Sequence, residues 1–221
     1  MRITWFGHAA FLIEADGLRV ILDPYRSPDC GGYAPIDERA DVVVVSHEND
    51  KYHSHLGQIR GDFEVVRGLE LPAEGQVARG VRFEAVRVFE TPEKLAGDEV
   101  TIVHFRVAGR RVVFLGDLGH SLSDAEVGPL RGADVVLCPA GGCPTIDLAR
   151  IPGLLVAIGP RVVIPMHYLI KGKINLAIQP VDRFLEAMAP MGWPVRRAGS
   201  PHWDVDGCEG GRSIVVLEPA R

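Results

Sequence analysis

Three apolar runs in this chain stop abruptly on reactive side chains: VVVVSHEND at 42–50, VVFLGDLGH at 112–120 and VVIPMH at 162–167. Short β-branched runs without polar alternation are strands covered on both faces, and such strands belong to the interior of a layered domain. Their ends are where a rigid sheet presents side chains to a shared pocket. A single histidine after a strand is ordinarily a hydrogen-bonded structural residue. Here three strands end on His47, on Asp117 with His120, and on His167. Neutral imidazoles with a carboxylate are the donor set a divalent transition metal accepts.

The remaining pattern fills in the layers. Asp16-Gly17 between apolar segments 11–13 and 18–22 predicts a tight hairpin. Further strands are expected at 41–46, 81–89, 101–107 and 111–116, the last two joined at Ala108-Gly109. After Gly116 the spacing turns helical at 122–130, 147–158 and 180–188, interleaved with strands at 134–138 and 162–165. Pro180 suits a first helical turn and Gly192 a helix exit. Sheet-rich first and helix-strand alternation later predicts one layered α+β or α/β domain over 1–221.

A net charge of -5 and a pI near 5.9, with no Lys/Arg block, argue against a nucleic-acid partner. The apolar stretch LLVAIGPRVVIPM is broken by Gly159, Pro160 and Arg161, short of the ~20 residues a membrane helix needs. The opening MRITWFGHAAF lacks the pattern of a signal peptide, so the chain is expected to begin at Met1 and to be cytoplasmic. Cys30, Cys138, Cys143 and Cys208 form no CxxC pair and are expected as free thiols.

WFGHAAFLIEADGLRVILDP, VVVVSHEND, FLGDLGH, ADVVLCPAGGCPTID and RVVIPMHY, in this order and spacing, resemble the metallo-β-lactamase-fold hydrolases. The likeness is to the branch that includes ascorbate-phosphate lactonase-like proteins and N-acylphosphatidylethanolamine phospholipase D. It implies an αββα sandwich of two mixed sheets with helices on the outer faces and the site at one edge. It also implies His47 as first ligand, Asp117 as bridging carboxylate and His167 as final ligand. The family signature His-x-His-x-Asp-His is not kept: without a gap, Asn49, Lys51 and Tyr52 stand where the second histidine, the aspartate and the third histidine belong. One inserted residue puts His53 at the third histidine position and Tyr52 at the aspartate position. The separate histidine expected near Phe89-Glu90-Thr91 is absent, with Glu90 as a substitute oxygen donor. Lys51, turned inward, would place an ammonium beside Asp117 where a cation otherwise sits.

Other residues take supporting expectations. His8, Tyr168, Gly141 and Gly142 are assigned to the substrate pocket, and Asp23 to support of the site from behind. His120 is expected to orient Asp117 or act on substrate, with Asp117 and Lys51 as its catalytic companions. Lys171 meets an anionic substrate or is solvated. His55, His104 and His202 read as a helix-surface, a mid-strand and a loop residue. The expected metal set is His47, Asp117 and His167 with help from His53 or Asn49, holding one Zn or Mn ion substoichiometrically. The expected activity is metal-dependent hydrolysis of an ester, lactone or phosphodiester of a small molecule, the metal acidifying the attacking water. The alternative is a metal-free member that binds a small ligand or a partner in the old pocket. A nuclease is disfavoured by the acidic balance. Oligomeric state is open.

Overall fold

The structure is a computed structural model and describes residues 1–205 and 211–220; Cys208 lies outside them. Two mixed sheets carry the chain. The first has six strands: β1 (Arg2–Gly7), β2 (Ala10–Ala15), β3 (Leu18–Leu22), β4 (Val42–Val45), β5 (Glu64–Arg67) and, at the far edge beside β1, β13 (His202–Asp204). The second has eight: β6 (Gln76–Ala78), β7 (Val81–Phe89), β8 (Glu99–Val107), β9 (Arg110–Phe114), β10 (Val135–Pro139), β11 (Val162–Met166), β14 (Ser213–Val216) and β12 (Val195–Arg197). The order is β13-β1-β2-β3-β4-β5 in one and β12-β14-β11-β10-β9-β8-β7-β6 in the other. β3, β4 and β5 run parallel, as do β9, β10, β11, β14 and β12, while the hairpins are antiparallel.

Both predicted hairpins form. Asp16 and Gly17 take φ 52° and 80°, Ala108 and Gly109 48° and 70°, the paired positive φ that matches the twist of the flanking strands. The period-2 pattern then sorts side chains between two cores. Phe11, Ile13, Val42 and Val44 face the eight-stranded sheet, whereas Ala10, Leu12, Val43 and Val45 face the other way.

The two mixed sheets of the expected α+β sandwich form, and their few α-helices pack on one side. α1 (Asp124–Val127), α2 (Ile151–Ile158) and α3 (Val181–Met188) pack into the cluster that holds the eight-stranded sheet. The outward side of the six-stranded sheet is covered instead by Tyr25, Cys30, Tyr33, Ile36 and Ala40 from the β3–β4 connection and Ile59 beside a 3-10 turn. Among the described residues no α-helix joins that second cluster. The helices are also shorter than their periodicity. Gly128-Pro129 turns the expected 122–130 helix into four α-helical residues, capped by Ser123 and Glu126, and a 3-10 turn. Pro152 fixes the start of α2 at Ile151, after a 3-10 turn capped by Asp147. Gly159 ends it at φ 71° and Gly192 closes the turn after α3 at 64°. His202 lies in an edge strand, not a loop, and His55 precedes a 3-10 turn, not a helix face. Cys30, Cys138 and Cys143 are free thiols. Among the described residues no helix is long and apolar enough to cross a membrane.

Candidate metal centre

The ends of β1, β3, β4, β9 and β11 meet at one edge of the sandwich, and each supplies a buried polar side chain. β1 leads to His8, β3 to Asp23, β4 to Ser46 and His47, β9 to Asp117 and β11 to His167, while His53 reaches in from the loop after β4. The backbone at three of these ends is unusual. His8, Asp23 and His167 have φ of 49°, 39° and 50°, a region costly for non-glycine residues and tolerated only where the surroundings enforce it.

His53 is the hub. Its Nδ1 lies 2.9 Å from Asp23 Oδ2 and its Nε2 2.9 Å from Asp117 Oδ2. Asp23 is itself fixed, since its carboxylate accepts from the Ser46 backbone N–H at 2.7 Å and from Ser46 Oγ at 2.5 Å. His167 Nε2 stands 3.6 Å from the same Asp117 oxygen. The His8 ring packs 4.3 Å from that of His167 and 5.1 Å from that of His53, and the His47 ring lies 4.4 Å from His53. Donor atoms of His8, His53 and His167 fall within 4.8 Å of one another, as do those of Asp23, His47 and His53.

Electrostatics divides the histidines. Burial holds His8, His47 and His167 below the ordinary imidazole range, with neighbouring histidines adding to the effect, so these rings are neutral donors. Burial also acts against a charged His53, yet Asp117 and Asp23 outweigh it and push His53 up to about 10. Burial alone would raise Asp117, but His53 and His167 hold it well below the usual carboxylate range.

A divalent ion fits this set. Both ring nitrogens of His8, Nδ1 of His167 and Oδ1 of Asp117 are buried with no hydrogen-bond partner. Each such group costs about 1–3 kcal/mol, and native interiors rarely leave several together. Neutral imidazoles beside an ionised carboxylate are ligands for Zn or Mn. The Asp23–His53 contact is the carboxylate–histidine pairing that fixes the tautomer of a metal-ligating ring.

Several sequence expectations land elsewhere. Lys51 does not point inward: its side chain is exposed and its Nζ sits 4.8 Å from the Tyr52 ring centroid. The cation beside Asp117 is His53. Asn49 shapes the loop through its backbone, its carbonyl accepting from the N–H groups of Tyr52, His53 and Ser54. The Tyr52 ring packs 5.1 Å from that of His8, and from this loop His53 is the residue that reaches Asp117. Tyr168 is buried, its hydroxyl donating to the Leu217 carbonyl at 3.3 Å and its ring 5.1 Å from Trp5. His120 accepts from the Phe89 N–H at 3.2 Å and pairs with the Ser121 carbonyl at 2.8 Å, so it holds the end of β7 rather than Asp117. The backbone of Glu90 presses on Gly119, where a Cβ would stand 1.6 Å from the Glu90 carbonyl oxygen. Burial and the Asp117 charge raise the Glu90 carboxyl.

A cavity of about 600 Å³ opens beside the cluster, between His120, Ser121, Gly142, Thr145, Leu148 and Arg150. Its Gly119–Ser121 wall starts two residues after Asp117. Its Gly142 wall adjoins Gly141, whose Cβ position lies 2.4 Å from the His167 carbonyl oxygen, so only glycine lets that loop pass. Arg150 Nη1 donates to Ser121 Oγ at 2.8 Å across the wall.

Comparison with known proteins identifies the family. Residues 2–167 match the family model of the β-lactamase superfamily domain. A UPF0173 metal-dependent hydrolase of Methanopyrus kandleri is 30% identical over 198 residues, 76% of this chain and 84% of that one. A UPF0173 protein of Pyrococcus furiosus is 30% identical over 186 residues, 76% of this chain and 83% of that one. The crystal structure of a Thermotoga maritima protein described as a Zn-dependent hydrolase of the metallo-β-lactamase superfamily superposes with a TM-score of 0.79 at 28% identity, covering 98% of both chains. With a family match over most of its length and strand ends that converge as that fold requires, the chain belongs to the metallo-β-lactamase superfamily.

Proposed function

We propose that the protein is a metal-dependent hydrolase of a small-molecule ester, lactone or phosphodiester, with His47, His53, Asp117 and His167 holding one Zn or Mn ion. The observation that carries this reading is the group of buried, unpartnered donor atoms on Asp117, His167 and His8 at the meeting point of five strand ends. The relatives' description as metal-dependent hydrolases supports it. When bound, such an ion supplies Lewis acidity that acidifies water and takes up charge on the oxygen of a carbonyl or phosphoryl group.

The chain's own residues do the positioning. Asp23, clamped by Ser46, keeps Nδ1 of His53 protonated and turns Nε2 toward Asp117; Nε2 gives up its proton when an ion takes its place. Neutral His47 and His167 offer lone pairs, and ionised Asp117 supplies negative charge where no solvent screens it. Glu90, half-buried and with its carboxyl raised, stands where a proton can be taken up near Asp117. The 600 Å³ cavity beside Gly119 and Gly142 takes the body of the substrate, with Leu148 and Pro144 as apolar wall and Arg150 as polar mouth.

The test is metal analysis of protein purified without a chelating tag, alongside hydrolysis of aryl ester, lactone and aryl phosphodiester probes. Bound metal with activity on one probe class that vanishes in Asp117→Asn is the expected result; metal-loaded protein inert toward all three would overturn hydrolysis of these classes. One observation favours a second reading. His53, with both ring nitrogens against carboxylates, already places a cation of the chain's own between Asp23 and Asp117, as a metal-free ligand-binding member of the family would require. Absence of bindable metal in the same experiment would select it.

A further inference from the structure

We propose that His8 is itself a ligand of the metal, a donor delivered from the end of the first strand in place of a histidine the loop lacks. The proposal rests on the metal reading above and adds a residue to it. Two of the positions where the superfamily signature carries histidines are filled here by Asn49 and by the Phe89-Glu90-Thr91 segment, and neither places an imidazole in the cluster. His8 does.

Three observations bear on its role. Both of its ring nitrogens are buried with no hydrogen-bond partner, whereas His53 and His120 have both nitrogens engaged and His47 Nδ1 has Ser46 Oγ at 3.1 Å. A structural histidine in the core is held by its hydrogen bonds, and His8 has none through its ring. Its donor atoms lie within 4.8 Å of those of His53 and His167, close to the ~3.3–4 Å between two donors that share one ion at bonds of ~2 Å. The backbone is also built to aim it. Trp5 Nε1 and the His167 N–H both donate to the His8 carbonyl, at 3.0 and 2.9 Å. The preceding Gly7 lies so close to Tyr33 that a Cβ would stand 2.4 Å from its ring. These contacts hold His8 at a φ of 49°, in the left-handed region that is uncommon for non-glycine residues.

A pocket-lining role fits less well. His8 is 1% exposed and does not line the neighbouring cavity, so a substrate has no surface of it to touch, while an ion between the three rings does. The same atoms would be left as several kcal/mol of unpaired polarity if nothing bound them.

The experiment measures zinc affinity of chelator-stripped full-length protein by competition with a chromophoric chelator, together with the visible spectrum of the cobalt-substituted form. The variants are His8→Asn, which tolerates positive φ and so keeps the backbone, and His104→Gln as a buried-histidine control in β8. The expected result is about one equivalent of zinc in wild type and in His104→Gln, and affinity at least tenfold weaker with an altered cobalt spectrum in His8→Asn. Wild-type affinity and spectrum in His8→Asn would overturn the assignment of His8 alone. No zinc binding by wild type would overturn the metal reading and this assignment with it. If His8→Asn does not fold, histidine-ring nitrogen NMR of zinc-loaded wild type decides: a His8 ring nitrogen that shifts on zinc addition supports ligation, and one that does not overturns it.

Discussion

The two sides of His53 face different kinds of carboxylate. On the Asp23 side every donor and acceptor is matched: Ser46 gives two hydrogen bonds and His53 the third. On the Asp117 side the matching stops, with Asp117 Oδ1, His167 Nδ1 and the His8 ring unpartnered. The closed side is built for rigidity and the open side for a guest. Burial is the same on both, so the contrast is one of hydrogen-bond completion, which is how an interior tells a scaffold from a binding seat.

The largest effect should come from the open side. Asp117→Ala removes the carboxylate shared by His53 and His167 and is expected to lower metal affinity by more than about a hundredfold and to abolish hydrolysis, since it deletes a direct ligand rather than an outer partner. Calorimetric metal titration checks it; retained tight binding would mean the open side is not the seat. On the closed side, Asp23→Asn keeps the shape but loses the charge that orients His53, and outer-shell changes of that kind cost roughly 10–100-fold in affinity or activity. A loss as large as that of Asp117→Ala would erase the distinction drawn here.

The next effect is a pH dependence of the metal-stripped protein. His53 is raised from 6.5 to about 10 on folding, so its pairing stabilises fully below about pH 6.5 and is lost as pH rises toward 10. Melting temperature should therefore fall across that window, and the fall should flatten in His53→Gln. A melting temperature constant from pH 7 to 10 would show that His53 is not the cation between the two carboxylates. The smallest effect is that of Lys51→Ala. Its ammonium is exposed, and surface substitutions are ordinarily within about 0.5 kcal/mol; metal affinity should not change, and a clear gain would return Lys51 to the site.

Much of this is legible in the sequence. The runs ending at His47, Asp117 and His167 marked the edge where the strands converge, and Asp16-Gly17 and Ala108-Gly109 marked the hairpins, because turn chemistry and β-branched runs are local signals. The three-residue edge strands β6, β12 and β13 carried too little pattern to read. The loop after β4 was legible only up to its register. Which of Lys51, Tyr52 and His53 turns inward depends on the three N–H groups that gather on the Asn49 carbonyl, and a backbone turn of that kind leaves no trace in side-chain type. His8 was visible as a residue but not as a member of the cluster, since its neighbours arrive from 45 and 159 positions away, at His53 and His167. The outward side of the six-stranded sheet is covered by a connection rich in proline, glycine and tyrosine between β3 and β4, which packs without periodicity.

The hydrogen bond from the His167 N–H to the His8 carbonyl joins a strand of one sheet to a strand of the other. It acts as a rivet at the mouth of the sandwich. An ion gripped by side chains from both residues would tighten the same seam, so occupancy at the site would be felt as resistance of the two halves to parting. Loading the protein with metal then raises its stability by mass action, by about 2.7 kcal/mol at a hundredfold excess over the dissociation constant, and the gain is shared by all the contacts between the sheets that must open before the seam does.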